Sequence, residues 1–543
     1  MDIEQLLRRQ ADMEKIRNPY EAHWDAIQRR IFPYGAEFQR TTVPGDTRTQ
    51  DRLDSTAMLA LDRYAAALIA MIAPRTERWH QLATTDAALN RRPRVRAYFE
   101  AVSEQLFTAR YGARASFARR FERFVKGAAA YGTAGLFVDQ LPGVGRIYRA
   151  IPTPQIYLAT DPFDRATIVH RKWRWPARKV LAQWGERVPG DVRALAETQP
   201  EAEVEVLHAI FPRADHDEGA PGPRGMALRS LTVLPASKAV IADGGYYTLP
   251  LLVHRAGGDA DDTYGTSIAM QVLPEIKLAN EMAKTIMKAA HKAVDPALLV
   301  ADDGVLTKLN TAPGKVNVGG ISARGEMLVQ PLQTGGNLPI GFEAQEQNRR
   351  VINDAFLITL FQVLVEQPDR QTATEVLERL REKGVLLAPA GGALEEELLA
   401  PMVEREIDLD ARAGLLPPMP PELAEANGEY RITFDNPLNR AARAGQAVGL
   451  LRTFEQLTPL AAADPAVATE IGRRVDWGTV IPALFDINGV PPSWLKPPEQ
   501  LAEEQAAQAQ AAEAAALLQA APAASAAAAN IAKAAEAEGI AVV

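Results

Sequence analysis

The chain has 543 residues, which at about 150 per domain predicts roughly three to four structural units rather than one core. Its 60 Lys and Arg stand against 68 Asp and Glu, and the net charge of −8 excludes a general nucleic-acid-coating protein, so any contact with nucleic acid must be local. The lack of cysteine excludes disulfide frameworks, thiolate zinc sites, iron–sulfur clusters and cysteine nucleophiles, and it suits a reducing compartment.

The opening residues Met1-Asp2-Ile3-Glu4-Gln5 are acidic and polar where an export signal needs a basic flank and an apolar stretch. Met13, Ile16, Tyr20, Trp24, Ile27 and Ile31 then recur at helical spacing and predict one apolar stripe. Asn18 before Pro19 has the form of an N-cap followed by a first-turn proline, which would divide the stripe into two helices in series. Asp54 and Ser55 mark the start of another helix carrying Leu61, Leu68 and Ile72. The most apolar stretch, Thr56 to Pro74, is interrupted by Asp62 and Arg63, which leave only the eleven residues Tyr64 to Pro74 uncharged, short of the roughly 18–20 that span a bilayer, so a soluble protein is expected.

From Gly135 the period changes. GLFVDQ, RIYRAI, QIYLAT, TIVHRKWRW, VEVLHAIF, SLTVLPA, KAVIAD and LPLLVHR are short β-rich runs separated by Gly, Pro and Asp, and they predict an antiparallel region. Helical character returns from Ser267 to Ala293, with Pro274 marking a kink or the true start. Eight glycines between 297 and 341 punctuate the β-prone runs ALLVAD, KVNVGG and EMLVQP, which predict a small β module. A second helix is expected from about Phe342 to Val365. The polar loop Glu366-Gln367-Pro368-Asp369-Arg370-Gln371 follows, and Thr372 to Glu375 has capping-box spacing. A long helix is expected from there to about Ala413, kinked at Pro389, Gly391 and Gly392 and stopped by Gly414. EYRITF reads as one returning strand, residues 440–500 as mostly helical, and the tail from Leu501 carries 22 alanines in 43 residues.

Catalytic chemistry is sparse. The seven histidines show no HExxH or HxH spacing, and Thr311 to Val316 lacks the leading glycine and trailing Ser/Thr of a phosphate-binding loop. Asp215-His216-Asp217-Glu218-Gly219 is the densest acidic cluster, and a solvated hairpin tip explains it better than a metal. No cofactor is implied. The informative feature is Lys277, Lys284, Lys288 and Lys292, spaced 7, 4 and 4, which fall on one helical face about 80° wide beside His291. Such a row would follow a phosphate backbone without reading bases, or it would be a solvated face paired with Glu275 and Glu281. Arg349 and Arg350 are open to the same two readings.

The order of elements resembles the portal proteins of tailed bacteriophages, and more closely the head-to-tail connecting protein family of short-tailed phages. Tyr264-Gly265-Thr266-Ser267, Gln371-Thr372-Ala373-Thr374-Glu375-Val376, Arg412-Ala413-Gly414-Leu415-Leu416-Pro417 and Gly132-Thr133-Ala134-Gly135-Leu136-Phe137 carry the likeness, which extends to about residue 500. The resemblance implies an α+β portal-type fold. Its parts would be a wing (1–262), paired stem helices (263–293 and 342–365), a β clip (294–341), a tunnel loop (366–372: Glu366, Gln367, Pro368, Asp369, Arg370, Gln371, Thr372), a long kinked helix (373–414), a connector and returning strand (415–439), a crown (440–500) and the Ala-rich tail (501–543).

It further implies a non-enzymatic ring, usually of about twelve subunits, at one vertex of the phage head, assembled in the host cytoplasm. Double-stranded DNA would pass through the channel past Lys277, Lys284, Lys288, Lys292, Arg349 and Arg350. Terminase large subunit, tail adaptors, major capsid and scaffolding proteins would be its partners, and no membrane would be involved. The competing readings are another structural virion component, such as a tail adaptor or scaffold, and a metal-dependent hydrolase built around Asp215 to Glu218.

Overall fold

The computed structural model describes residues 2–33, 35, 38, 52–90, 92–217, 219–257, 262–300, 309–332, 338–359, 387–487 and part of 500–511. It divides into a unit ending at Ala442 and a second beginning at Arg443.

The first helix, α1 (Ile3–Ile31), is continuous for 29 residues, with Pro19 inside it rather than at a restart. Pro19 deletes one helical N–H, but the turn around it is held from outside: Arg17 donates to Glu21 and to the carbonyls of Pro154 and Ile156. Arg17 also takes a core-facing place, so Ile16 is turned outward at 48% exposure, and the stripe runs through Met13, Trp24, Ile27 and Ile31 instead. Helix α2 (Thr56–Ile72) begins as expected, except that Asp54 rather than Ser55 caps it by accepting from the Thr56 N–H. Strand β1 (His80–Ala83) lies inside a stretch whose period reads as helical. Helices α3 (Ala87–Asn90), α4 (Pro93–Tyr111) and α5 (Phe117–Tyr131) follow.

All eight β-rich runs form strands: β2 (Thr133–Leu141), β3 (Gly145–Ile151), β4 (Ile156–Thr160), β5 (Ala166–Pro176), β6 (Glu203–Pro212), β7 (Leu228–Leu234), β8 (Ala239–Tyr246) and β9 (Leu251–Arg255). Every pairing is antiparallel, in a three-stranded sheet β3-β2-β9 and a five-stranded sheet β4-β5-β6-β7-β8. Helices α6 (Ala177–Trp184) and α7 (Gly190–Thr198) are inserted between β5 and β6 and bury Val180 and Val192 against Trp173 and Val206. Because β9 returns to pair with β2, the chain leaves the sheets beside the point where it entered them.

Helix α8 (Ile268–Gln271) and helix α9 (Leu273–Val294) are divided at Val272, with Pro274 in the first turn of α9, so the proline marks the start. The β module is smaller than its sequence suggests. Strand β10 (Leu298–Val300) pairs with β11 (Val329–Pro331), and Ile321 bridges Met327, but the run KVNVGG is not a strand and leaves Val316 and Val318 in solvent. Gly314 just before that run and Gly319 within it hold positive φ, which breaks extended pairing there.

Helix α10 (Leu338–Ala355) starts before Phe342 and is interrupted at Phe356 and Leu357, the latter at φ +56°; Ile358 and Thr359 are helical again, and 360–365 lie outside the described residues. Residues 366–372 lie outside the described residues. The long helix is helical at 387–394, passes through a π-helical turn at Glu395–Leu399 and continues as α11 (Ala400–Arg412). The irregularity therefore sits just before Pro401, while Pro389, Gly391 and Gly392 are accommodated in regular helix. Gly414 stops it as expected: at φ +65° its N–H reaches the Ala411 carbonyl and the Leu415 N–H reaches that of Asp410. After α12 (Pro421–Glu425), strand β12 (Arg431–Phe434) returns to β1.

Helix α13 (Pro437–Ala463) carries the division between the units. In the second unit, α14 (Pro465–Arg474) is capped by Asp464, α15 (Trp477–Ile487) follows, and Phe454 stacks on Trp477 at 5.4 Å.

Candidate functional site: a helical hairpin and its root

Helices α9 and α10 pack antiparallel: Asn348 Nδ2 donates to the Glu275 carbonyl at 2.8 Å near one end, and Gly341 faces Ile286 nearer the other. Their root is built from two of the quoted motifs, which meet in space. Gly132 has φ +75°, and a Cβ there would stand 2.2 Å from the Gly265 carbonyl oxygen. Thr133 Oγ1 accepts from the Gly265 N–H at 2.9 Å, and Ser267 Oγ donates to the Ala130 carbonyl at 2.8 Å while capping α8. Tyr264 is fully buried between Tyr20 and Trp24, both at 5.3 Å. Burial pushes its phenol upward, so it stays protonated.

A polar clamp holds the hairpin to α2. Asn280 Oδ1 accepts from the N–H groups of Leu53 and Asp54, at 2.8 and 3.1 Å. Asp54 Oδ2 in turn accepts from Arg349 Nε at 2.9 Å and Gln345 Nε2 at 3.3 Å. Burial pushes the Asp54 carboxyl up, but its bonds to Thr56 and the Arg349 guanidinium outweigh that and hold it below the usual range.

The four lysines of α9 are all exposed and form a row about 22 Å long at 1.5 Å per residue. The acidic pairing expected of a merely solvated face is thin. Glu281 stands 3.9 Å from Lys284, whereas Glu275 turns a buried oxygen inward with no partner among the described residues. Lys277, Lys288 and Lys292 have no ion pair among the described residues. Arg349 is engaged by Asp54, and Arg350 is exposed with Glu346 at 3.9 Å. The acidic cluster Asp215 to Glu218 lies in the connection between β6 and β7; Glu218 is outside the described residues, among which no metal-holding group of three or more His, Asp or Glu occurs.

A second polar centre lies under the long helix. Glu406, fully buried, accepts from Arg110 at 3.0 and 2.6 Å and from the Tyr148 hydroxyl, with Arg146 at 3.4 Å. Arg146 also holds Asp410 at 2.6 Å. Burial pushes Glu406 up, but the two guanidinium groups outweigh it and hold the carboxyl low. Sequence reasoning read Asp54 only as a helix start, not as a clamp, and missed Asn280 and Glu406. Those two were detectable in the period: Asn280 falls in step with Ile276 and Ala283, and Glu406 with Met402 and Leu409, both polar residues at core-facing positions.

Comparison with known proteins gives the family. Residues 4–495 match the family described as bacteriophage head to tail connecting protein, and the chain belongs to it. It is 25% identical over 516 residues to the probable portal protein of Bordetella phage BPP-1, covering 92% of this chain and 89% of that one. It is 24% identical over 510 residues to the portal protein of Salmonella phage epsilon15, again covering 92% and 89%. Among solved structures, a chain in the virion of a native gene transfer agent particle aligns at a TM-score of 0.33 and 13% identity, over 80% of this chain and 90% of that one.

Proposed function

We propose that this chain is the structural head-to-tail connector of a phage virion, a closed ring of about twelve copies at one vertex of the head through which double-stranded DNA passes. The observation that carries the reading is the outer half of the stem hairpin. Met287 and Val294 on α9 and Ile340 and Phe342 on α10 are exposed there in a single chain, beside a lysine row. Each such side chain is worth about 1.5–3 kcal/mol on burial, so the hairpin favours packing against neighbouring copies. The lysines would then meet phosphates through weak, sequence-independent contacts, which suit DNA that must slide.

In this reading residues 1–262 form the wing, 263–293 and 342–365 the stem, 294–341 the clip that docks terminase and later tail adaptors, 366–372 the tunnel loop and 440–500 the crown. Arg349 belongs with the root rather than with the DNA-facing set, because Asp54 holds it. Driving force comes from a separate ATPase. Electron microscopy of the purified chain is expected to show rings with a central hole, and a chain that stays monomeric in every assembly condition overturns the proposal.

A further inference from the structure

We infer that Arg120, Arg149 and Arg171 form an oxyanion-accepting patch that is completed by a carboxylate from a second copy of this chain. The inference rests on the ring reading and adds to it a specific contact.

Five arginines are deeply buried among the described residues: Arg17, Arg110, Arg146, Arg171 and Arg405. Four of them hold carboxylates. Arg17 meets Glu21 at 2.6 Å, Arg110 meets Glu406 at 2.6 Å, Arg146 meets Asp410 at 2.6 Å and Arg405 meets Asp139 at 3.2 Å. Arg171 has none among the described residues. Its Nε and Nη2 share one neutral acceptor, Gln155 Oε1, at 3.1 and 3.0 Å, and its guanidinium lies 4.3 Å from the Trp173 ring centroid.

The groups around Arg171 deepen the deficit. Gln155 lies in the short turn that follows β3, and β3 carries Arg149, exposed and without an ion pair among the described residues. Helix α5 packs on β3 and brings up Arg120, also without an ion pair there. His208 sits opposite Arg171 on β6, where burial and then Arg171 push its pKa down to about 4, so it adds no charge at neutral pH and no anion either. Burial and Arg149 bring Arg171 down to about 9, and burial and Arg120 lower Arg149. A buried cation left without an anion is destabilising by several times what a surface pair gains, so this patch is incomplete in one chain.

A carboxylate fits better than a nucleic-acid phosphate. Arg171 is only 7% exposed, so the anion must reach inward on a slender side chain, whereas a duplex backbone would meet cations that project as exposed α9 lysines do. The chain also carries eight more acidic than basic residues, so another copy presents a surface richer in carboxylates. Arginine's planar fork binds a carboxylate through paired hydrogen bonds.

The test is assembly of the full chain, read by native mass spectrometry and sedimentation at low and high salt. Arg149→Glu and Arg120→Glu change exposed or half-exposed positions and are expected to leave the monomer folded while raising the concentration for half-assembly by about tenfold or more. Arg171→Met is expected to weaken assembly similarly and to make the monomer more resistant to heat, because it removes an unpaired buried charge. If wild type and both Glu variants form rings at the same concentration, the patch has no such role. If the variants form rings normally but lose DNA retention, the anion is a phosphate and the inference is overturned. A wild-type chain that never assembles overturns the ring reading itself.

Discussion

From Leu273 to Ala283, helix α9 buries five residues, and its polar side chain Asn280 is spent on the backbone of Leu53 and Asp54; from Lys284 to Val294 the same helix buries none. The helix partner repeats the pattern. Gln345, Asn348 and Ile352 of α10 are buried toward the root, while Ile340 and Phe342 stand in solvent. The root is therefore completed within one chain, and the outer half is not. In the proposed ring the two halves would serve different ends: a hairpin fixed rigidly to the rest of its own chain, and a surface left for neighbouring copies and DNA to complete. Predictions that separate the two halves follow from that division.

The largest effect is expected at the root. Gly132→Ala places a methyl group 2.2 Å from the Gly265 oxygen in a left-handed backbone conformation, and both groups are main chain, so no rotamer change relieves the clash. The expected cost is about 4 kcal/mol, combining overpacking with backbone strain, and it is read by chemical unfolding. A variant as stable as wild type would mean that the two motifs do not touch.

Glu406→Gln extends the contrast to the other buried centre. It leaves Arg110 and Arg146 facing a neutral amide and should cost about 3 kcal/mol. The pH dependence has a definite sign. The folded carboxyl lies below its unfolded value near about 4.3, so its contribution is complete above that pH and is lost as pH falls through the depressed folded value. Wild type should therefore lose more stability than Glu406→Gln on acidification, as measured by unfolding at stepped pH. Asp54→Ala, which frees Arg349, Gln345 and the α2 cap, should cost about 1–2 kcal/mol and loosen the hairpin's hydrogen-exchange protection near Asn280.

Much of this division was legible in the sequence, but unevenly. The eight strands were readable because alternation and turn residues are local signals, and the Gly414 stop because a helix C-terminus needs a residue tolerant of positive φ. The π-turn at Glu395–Leu399 was not readable in that way: Glu395 bonds Asn436 and Asn439, and Glu397 bonds His254 and Arg255, and those partners are distant in sequence. Likewise the motifs around Gly132 and Gly265 were visible separately, while their contact is a product of β9 returning to β2. Pro19 misled for the same reason, since Arg17's bonds to the 154–156 segment hold the helix together through it.

The smallest effect on stability, and the sharpest on function, is expected along the lysine row, three of whose four members lie in the outer half. Replacing Lys277, Lys284, Lys288 and Lys292 together by Gln removes four exposed charges, of which only Lys284 has an acidic neighbour, at 3.9 Å, among the described residues. Such surface pairs contribute about 0–1 kcal/mol, so unfolding of the variant should match wild type within about 0.5 kcal/mol, and rings should still form. DNA is a different readout. Each phosphate neutralised by a lysine releases counterions, so losing the row should weaken DNA retention and flatten its dependence on salt by up to about 0.9 in logarithmic slope per lost contact. If retention and its salt slope are unchanged, the row does not meet DNA and is a solvated face. If ring formation fails instead, the lysines contact neighbouring copies, and the boundary between the self-completed root and the open half of the hairpin must be drawn along a different face of α9.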